Sequence, residues 1–270
     1  MYVISGRINS SLDGINEILD QRDEKALLSL AEEQVSFGAE CLDFNCGTRF
    51  QTEADDMEWI IRTIQSKMDI DLCSDSPDAD VQKRVLSLMK CKSPILNSTT
   101  LESERIGKMM PLVKQFKTRV IVLLHDEKGM PKSVEDRVRL LPVLKNLMKE
   151  YDMQKKDVFL DPLLFPVSVD SDNMKNVIET IREFRKDSPD WQFSTGLNNV
   201  SYGMPERELL NVTALGMFAG IGVEASIIGL SAEMAAFIRA AKYMSGEDPF
   251  GMDYISAYRD GELGIFRNTT

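Results

Sequence analysis

The sequence lacks any apolar run of the roughly 18 or more residues that a membrane-spanning helix needs. Its amino terminus, residues 1–7, lacks the basic and apolar regions of a secretion signal. It has few cysteines, and three of the four lie in or beside strand-like runs, where a free cysteine acts as a small apolar side chain. We therefore expect a cytoplasmic protein with reduced cysteines.

Basic residues are in deficit, because 32 lysines and arginines stand against 43 aspartates and glutamates and give a net charge of −11. A chain of this charge is repelled by the phosphate backbone of nucleic acids and by anionic membrane surfaces. We expect neither as a partner. The charge leaves open which small molecule binds.

A glycine-rich phosphate turn is also absent after the first predicted strand, where the sequence reads Gly6-Arg7-Ile8-Asn9-Ser10. This absence argues against an open, doubly wound nucleotide-binding sheet. What is present is a repeating alternation of strand and helix, which is typical of a parallel sheet. The predicted strands cover residues 2–5, 41–45, 70–74, 94–97, 119–124, 158–161, 192–196 and 224–229.

The segments between these strands show apolar residues at helical spacing. The predicted helices cover residues 24–37, 101–117, 133–151, 172–186, 205–218 and 231–244. Ser133 is the expected cap of one helix, and Pro205 is expected in the first turn of another.

Eight strand–helix units in about 250 residues fit a closed (β/α)₈ barrel. We expect one domain over residues 1–270. Residues 246–270 follow the eighth unit and form an extension that packs on the barrel or on a second subunit. Its aromatic residues favour such packing; they are Phe250, Tyr254, Tyr258 and Phe266.

Polar residues lie at the carboxyl ends of most predicted strands, which in barrels meet at one mouth and carry the chemistry. In strand order they are Arg7 and Asn9; Asp43 and Asn45; Asp71, Cys73 and Asp75; Asn97; Asp161; and Gly196 with Asn199. A buried polar group without a partner costs roughly 1–3 kcal/mol. The ring is therefore either a self-satisfied network or a site for a polar ligand.

The ring is rich in carboxylate acceptors and in amides that both donate and accept, and it has little positive charge. A bare phosphate is therefore a poor match. A flat heterocycle with an amino-amide edge, which offers several N–H donors and a carbonyl, is a good one. The segment 194–201, read alone, could still be an ordinary turn, because Asn and Gly favour turns.

Five motifs in register resemble the pterin-binding methyltransferases that move a methyl group between tetrahydrofolate and a corrinoid protein. The resemblance extends from Gly6 to about Met244. The motifs are Leu42-Asp43-Phe44-Asn45-Cys46-Gly47, Cys73-Ser74-Asp75-Ser76, Leu96-Asn97-Ser98-Thr99, Leu160-Asp161-Pro162-Leu163 and Gly196-Leu197-Asn198-Asn199-Val200-Ser201.

The resemblance implies that Asp75, Asn97 and Asp161 bind the amino-pyrimidinone edge of the pterin. It also implies that Asn199, which follows Gly196 in the same site, is the catalytic residue that reaches N5, the nitrogen carrying the methyl group. The remaining implied site residues have less defined roles. Asp43 and Asn45 lie in the same cavity, and Arg207 meets the aminobenzoyl-glutamate tail or the partner protein.

Two positions depart from the family pattern, since Asn198 stands where the type member has serine and Tyr202 where it has glutamine. They concern the rim where folate meets the corrinoid, and so the identity of the partner. His125 is the single histidine, in Leu123-Leu124-His125-Asp126-Glu127-Lys128-Gly129. This is not the corrinoid signature Asp-x-His-x-x-Gly, so we expect the corrinoid to come on another protein, with tetrahydrofolate or 5-methyltetrahydrofolate as substrate. The family implies a homodimer.

We expect no metal on this chain. The aspartates between Asp69 and Asp80 lack the spacing of a calcium loop, and strand alternation separates Cys41 from Cys46. Two alternatives to the methyltransferase remain. One is a dihydropteroate synthase-like condensing enzyme, which needs basic residues for pyrophosphate where the strand ends offer only Arg7. The other is a folate-binding module without catalysis. The sequence leaves the direction of transfer and the first methyl donor open.

Overall fold

A computed structural model describes residues 1–263 and shows eight parallel strands closed into a barrel in chain order. The strands are β1 (Tyr2–Asn9), β2 (Cys41–Asn45), β3 (Asp71–Asp75), β4 (Ile95–Thr99), β5 (Arg119–Leu123), β6 (Val158–Asp161), β7 (Gln192–Gly196) and β8 (Ala225–Ile228). Pairing of β1 with β8, from Tyr2 opposite Ala225 to Ser5 opposite Ile228, closes the ring. The predicted (β/α)₈ fold is confirmed.

The helices lie between the strands around the barrel. They are α1 (Ile15–Gln21), α2 (Glu24–Ser36), α3 (Glu53–Gln65), α4 (Ala79–Leu86), α5 (Ser103–Phe116), α6 (Val134–Val138), α7 (Leu141–Glu150), α8 (Asn173–Asp187), α9 (Arg207–Gly220), α10 (Ala232–Met244) and α11 (Met252–Arg259). Within residues 1–263, none of them is long and apolar enough to cross a membrane.

The predicted helix over residues 133–151 is wrong in its continuity, because the segment forms two helices, α6 and α7. Ser133 does cap α6, and its hydroxyl accepts a hydrogen bond from the backbone N–H of Asp136. Pro142 occupies the first turn of α7, where its missing N–H does no harm, whereas inside one long helix it would remove a hydrogen bond.

Several further boundaries differ from the prediction, and two of them have a clear structural cause. The strand β1 continues past Ser5 to Asn9, and its pairing with β2 shifts register between Ser5 and Ile8. The helix α9 begins at Arg207 and not at Pro205, because Glu206 adopts a left-handed conformation with φ of 49° that a helix cannot contain.

Strand side chains alternate between the barrel interior and the helix layer. Below the mouth the interior is filled by a cluster of buried apolar side chains, here called the interior layer: Ile4, Cys41, Cys73, Ile95, Ile121, Phe159 and Ala225. Cys46 belongs instead to the larger core between strands and helices, so the predicted separation of Cys41 from Cys46 is confirmed.

The end of the barrel opposite the mouth is closed by polar and aromatic side chains. The hydroxyl of Tyr2 donates to Asp71 Oδ2 at 2.9 Å. The guanidinium of Arg119 lies 3.9 Å from the centre of the Phe159 ring. These contacts seal the interior layer from below.

The described part of the carboxyl-terminal extension forms a short 3₁₀ turn, Pro249–Gly251, and α11. The Tyr254 ring stacks on Tyr243 of α10 with 5.7 Å between centroids. The carboxylate of Asp248 accepts from the backbone N–H groups of Asp253 and Tyr254 at the start of α11. The extension therefore packs on α10 as far as residue 263, and Phe266 lies outside the described residues.

Candidate functional site

A cavity of about 730 Å³ opens at the carboxyl ends of the strands. Among the predicted site residues, Asp43, Asp75, Gly196, Asn199 and Arg207 line it. The other residues of its lining are Gly6, Arg7, Asn9, Ser11, Leu12, Asn198, Tyr202, Glu208, Asn211, Ile227, Ile228 and Gly229. This volume falls within the range of about 300–1,000 Å³ that is usual for small-molecule sites.

Asn45, Asn97 and Asp161 do not belong to that lining. Two of the three are joined to it by hydrogen bonds, since Asn97 Nδ2 donates to Asp43 Oδ1 at 3.1 Å and Asn45 bonds to Asp75. Asp161 lies at the end of β6, outside the lining. The strands thus bring the predicted residues to one end of the barrel, where some line the cavity and others lie outside the lining.

Asp43 is a buried acid in the floor of the cavity, with 4% of its surface exposed. Burial and the neighbouring charge of Asp75 raise its pKa to about 8, while hydrogen bonds from Cys73 and Asn97 oppose the rise. The protonated carboxyl therefore predominates at neutral pH. A neutral carboxyl can donate a hydrogen bond into the cavity as well as accept one.

Asp75 carries a milder version of the same perturbation. Burial raises the pKa of its carboxyl, the hydrogen bond from Asn45 opposes this, and the charge of Glu53 adds to it. Asn45 is itself held in place, because its Oδ1 accepts from the backbone N–H of Gly47 at 2.9 Å. Asp43 and Asp75 therefore form an acid pair that resists carrying two charges.

Asp161 is fixed by its own loop. Its Oδ1 accepts from the backbone N–H of Leu163 at 2.7 Å. Burial raises its pKa to about 6, against the effects of this hydrogen bond and of the nearby charge of Arg137. Asp161 is therefore the more readily ionised acceptor of the two carboxyl groups, Asp43 and Asp161.

The strand β7 ends in a 3₁₀ turn, Leu197–Asn199, that carries two side-chain amides. A Cβ atom on Gly196 would lie 2.9 Å from Asn199 Nδ2, and one on Gly229 would lie 3.0 Å from Asn198 Nδ2. Both glycines therefore make room for an amide. The Asn198 amide is also held by α9, since its Oδ1 accepts from Asn211 Nδ2 at 3.4 Å.

Arg207 links the start of α9 to the same turn. Its Nε donates to Ser201 Oγ at 3.1 Å, and one terminal nitrogen donates to the Asn198 carbonyl oxygen at 3.1 Å. With Arg7 it gives the cavity two basic side chains, one more than the strand ends alone predicted. Positive charge at the rim suits the carboxylates of a folate tail.

His125 lies apart from this cavity. It is 8% exposed, its backbone bonds to Leu101 and Leu123, and its ring Nδ1 has no hydrogen-bond partner among the described residues. Over residues 1–263, no group of three or more His, Cys, Asp and Glu side chains is arranged to hold a metal ion.

Three buried polar side chains that support the site from the helices were not predicted from the sequence. They are Gln82 of α4, Arg137 of α6 and Asn211 of α9. A signal was available for Gln82, which stands in the apolar stripe of its helix beside the buried Val85 and Leu86. A polar residue in such a stripe indicates a specific buried partner.

The family model of pterin binding enzymes matches residues 5–228 of this chain. The chain belongs to the pterin binding enzyme family. The match begins within β1, ends with β8 and includes all five motifs, so the resemblance read from them is confirmed. The protein is accordingly an enzyme.

Two relatives support this membership. The methylcorrinoid:tetrahydrofolate methyltransferase of Eubacterium limosum is 26% identical over 268 residues, which are 98% of each chain. The methionine synthase of Mycobacterium tuberculosis is 25% identical over 244 residues, covering 86% of this chain and 20% of that protein. This chain thus spans nearly all of the first relative and about a fifth of the second.

Solved dihydropteroate synthases share the fold. The Xanthomonas albilineans enzyme in complex with indole-2-carboxylic acid and 6-chloroguanine superposes with a TM-score of 0.66 at 13% identity, over 92% of this chain and 93% of that one. The Coxiella burnetii enzyme in complex with pteroic acid gives 0.66 at 15% identity, over 92% and 94%. At these identities the likeness concerns the barrel alone.

Proposed function

We propose that this enzyme transfers a methyl group between N5 of tetrahydrofolate and the cobalt of a corrinoid carried by a partner protein. The observation that carries the proposal is the cavity, where Asp43, Asp75, Gly196 and Asn199 converge from three strands and the turn after β7. The similarity to the Eubacterium limosum methyltransferase over the whole chain supports this reaction in particular.

The pterin is proposed to bind by its amino-pyrimidinone edge. Asp75, which lines the cavity, accepts hydrogen bonds from its N–H groups. Asp161 and Asn97, at other strand ends outside the lining, are proposed to complete the edge once the ligand is seated. The Asn97 amide is already oriented for this role, because its Nδ2 donates a hydrogen bond to Asp43 Oδ1. Arg207 faces the glutamate tail at the rim.

The chemical difficulty is that a tertiary amine is a poor leaving group. The N5 nitrogen has to gain positive character through a proton or through a hydrogen bond that strengthens in the transition state. Asn199 is proposed to make that bond, since the empty space left by Gly196 places its Nδ2 in the cavity. The nucleophilic or methyl-carrying metal is supplied by the partner's corrinoid, and the same contacts serve either direction of transfer.

Asp43 is proposed to hold the proton reserve of the cavity. Its carboxyl is protonated near neutral pH and lies in hydrogen-bond contact with Asn97 and Cys73. A proton can therefore be kept in the floor of the site without a histidine or lysine.

A transfer assay tests the proposal. 5-Methyltetrahydrofolate, a corrinoid protein in its reduced state and this enzyme are mixed, and the visible spectrum of the corrinoid is followed. Asn199→Ala should lower the transfer rate by roughly 10²–10³, the loss typical of one transition-state donor, with little change in folate affinity.

Two results would contradict the proposal. An unchanged corrinoid spectrum despite folate binding would indicate a binding module without catalysis. Condensation of a pterin pyrophosphate with aminobenzoate, without any methyl transfer, would indicate a dihydropteroate synthase. Wild-type turnover by Asn199→Ala would remove Asn199 from the mechanism while leaving the reaction class intact.

We also propose a second copy of this chain as partner. The end of α10 and the start of α11 present apolar side chains to solvent: Met244 is 88% exposed, Phe250 90% and Met252 67%. Large apolar side chains exposed so close together in the chain favour a protein interface.

A further inference from the structure

Gln82 of α4 is a fully buried polar side chain in the layer between helices and strands. Its Nε2 lies 2.9 Å from the carbonyl oxygen of Ser74, 3.1 Å from that of Ser76 and 3.1 Å from that of Asn97. Its Oε1 accepts from Ser74 Oγ at 2.5 Å. One amide therefore contacts the ends of β3 and β4 together.

These contacts enclose two residues proposed to bind the pterin. Ser74 and Ser76 flank Asp75 on both sides, and the third carbonyl belongs to Asn97 itself. The backbone N–H of Ser76 also donates to the Asn97 carbonyl, at 3.2 Å. The backbone on both sides of the Asp75 side chain and at Asn97 is thus fixed from the helix layer, on the side away from the cavity.

Helix packing alone does not require a glutamine at this position. Methionine has nearly the same length and would fill the space with an apolar chain that suits a core. A methionine would, however, leave three buried carbonyl oxygens with fewer donors, and each unsatisfied group costs roughly 1–3 kcal/mol. The carbonyl oxygens at the strand ends therefore explain why an amide stands here. Its contacts with them fix the relative positions of the two strand ends.

We propose that Gln82 is a positioning residue, which sets the geometry of Asp75 and Asn97 and thereby the affinity of the cavity for its ligand. The role rests on the proposed function in one respect, namely that a pterin binds there. Hydrogen-bonding groups need placement within about 0.5 Å, and supporting side chains outside the cavity supply it.

The chain contains a matched control. Gln34 of α2 is 1% exposed and makes the same kind of contact on another side of the barrel: its Oε1 accepts from Ser5 Oγ at 2.8 Å. Its Nε2 lies 3.5 Å from the carbonyl oxygen of Leu230. Ser5 and Leu230 adjoin the cavity-lining Gly6 and Gly229, but neither belongs to β3 or β4, which carry Asp75 and Asn97. Loss of Gln34 should therefore disturb the fold and leave Asp75 and Asn97 in place.

The experiment compares Gln82→Met with Gln34→Met. The dissociation constant for tetrahydrofolate is measured by calorimetry at a temperature well below both melting points, and stability is measured by urea unfolding. We expect both variants to lose stability. Gln82→Met should weaken folate binding by about tenfold or more, because the hydrogen-bonding groups are displaced, whereas Gln34→Met should stay within about twofold of wild type.

A milder variant keeps the test decisive if Gln82→Met fails to fold. Ser74→Ala removes only the hydroxyl that holds Gln82 Oε1, and should weaken folate binding by about two- to fivefold. Equal dissociation constants for wild type and the folded Gln82 or Ser74 variant would overturn the positioning role while leaving the proposed function intact.

Failure of the pterin-binding part of the proposed function has a different signature, because wild type itself would then not bind folate. Crystal structures of the variants decide the positioning role in that case. Asp75 and Asn97 should be displaced relative to wild type in Gln82→Met and unmoved in Gln34→Met. Superposable Asp75 and Asn97 side chains in both variants would overturn the inference.

Discussion

At the scale of single residues, the site depends on acids whose surroundings favour the neutral form. Asp43 is the clearest case, with a pKa raised to about 8 by burial and by Asp75. A protonated carboxyl differs from an asparagine amide in one useful way, since it can release its proton when the charge distribution in the cavity changes. Asp43 is therefore a structural partner of Asn97, and its raised pKa is consistent with the proton-storing role proposed for it.

The raised pKa of Asp43 makes stability depend on pH. Between the unfolded value of roughly 3.9 and the folded value of about 8, the folded chain binds more protons than the unfolded chain. The free energy of unfolding should therefore fall as pH rises through this window. Asp161, with a pKa of about 6, adds to the fall over its lower part.

Urea unfolding of wild type and Asp43→Asn at a series of pH values checks this expectation. Asparagine keeps the shape and cannot ionise, so the variant should lose less stability between pH 5 and about pH 8 than wild type does. Parallel stability curves for the two proteins would mean that Asp43 does not titrate in this window.

Gly196 gives a second prediction at this scale. Its φ of −77° is open to any residue, so Gly196→Ala should fold normally. The added Cβ would lie 2.9 Å from Asn199 Nδ2 and would push that amide away. We expect transfer to slow by about tenfold or more at nearly unchanged stability.

The control for this variant is Gly107→Ala in α5, where a Cβ meets no atom within 4 Å. That substitution should leave transfer unchanged and raise stability by about 0.5–1 kcal/mol, because alanine is the better helix former. If Gly196→Ala transfers methyl groups at the wild-type rate, the position of the Asn199 amide is not critical.

The sequence alone predicted which residues lie at the mouth, because strand alternation and the carboxyl-end rule suffice to place Asp43, Asp75 and Asn199 together. It could not predict that Asn97 and Asp161 lie outside the cavity lining. That placement depends on hydrogen bonds between strands, such as Asn97 to Asp43, which no local pattern encodes.

At the scale of elements, the strands were predictable and their ends were not. β1 continues to Asn9 because it changes register against β2, and such an irregularity depends on the neighbouring strand. Pro142 was a visible break inside the predicted 133–151 helix, and α7 begins one residue before it. The apolar residues of 133–151 recur at helical spacing throughout the segment, and this pattern outweighed the proline in the prediction.

The short helix α6 has a structural role that follows from one side chain. Arg137 is 1% exposed, and its guanidinium donates to the carbonyl oxygens of Pro162, Ser133 and Leu163. The Leu163 backbone in turn donates to Asp161. Because α6 is separate from α7, its Arg137 can lie beneath the loop after β6 and donate to the carbonyl oxygens of Pro162 and Leu163.

Arg137→Met should lower the free energy of unfolding by about 3 kcal/mol, because several buried carbonyl oxygens lose their donors. The free energy of unfolding of Arg137→Lys should lie between those of wild type and Arg137→Met, since lysine keeps the charge and lacks the planar guanidinium. Urea unfolding followed by circular dichroism measures both. A methionine variant within about 1 kcal/mol of wild type would show that these carbonyls find other donors.

At the scale of the whole molecule, two surfaces of different character emerge. One is the polar mouth, and the other is the apolar surface formed by the end of α10, the 3₁₀ turn and the start of α11. They are built by different parts of the chain. We therefore expect the proposed catalysis and the proposed self-association to be separable by mutation.

The double variant Met244→Asp, Met252→Asp should be a monomer of 30.5 kDa if the wild type is a dimer through this surface, because two buried charges in each copy would disfavour the interface. Light scattering after gel filtration measures the mass. Phe50→Asp, which alters an equally exposed apolar residue elsewhere (86% exposed), should leave the mass unchanged. A wild-type monomer, or a double variant that stays dimeric, would exclude this interface.

The interior layer of the barrel, packed from Ile4 round to Ala225, has a kinetic consequence for the proposed reaction. It makes the cavity a blind one, so that a small molecule can enter and leave only past the rim. A protein seated over that rim to bring its metal to N5 covers the single exit. For the proposed reaction we therefore expect an ordered ternary complex, in which folate arrives before the protein and departs after it, and the large substrate sets the residence time of the small one.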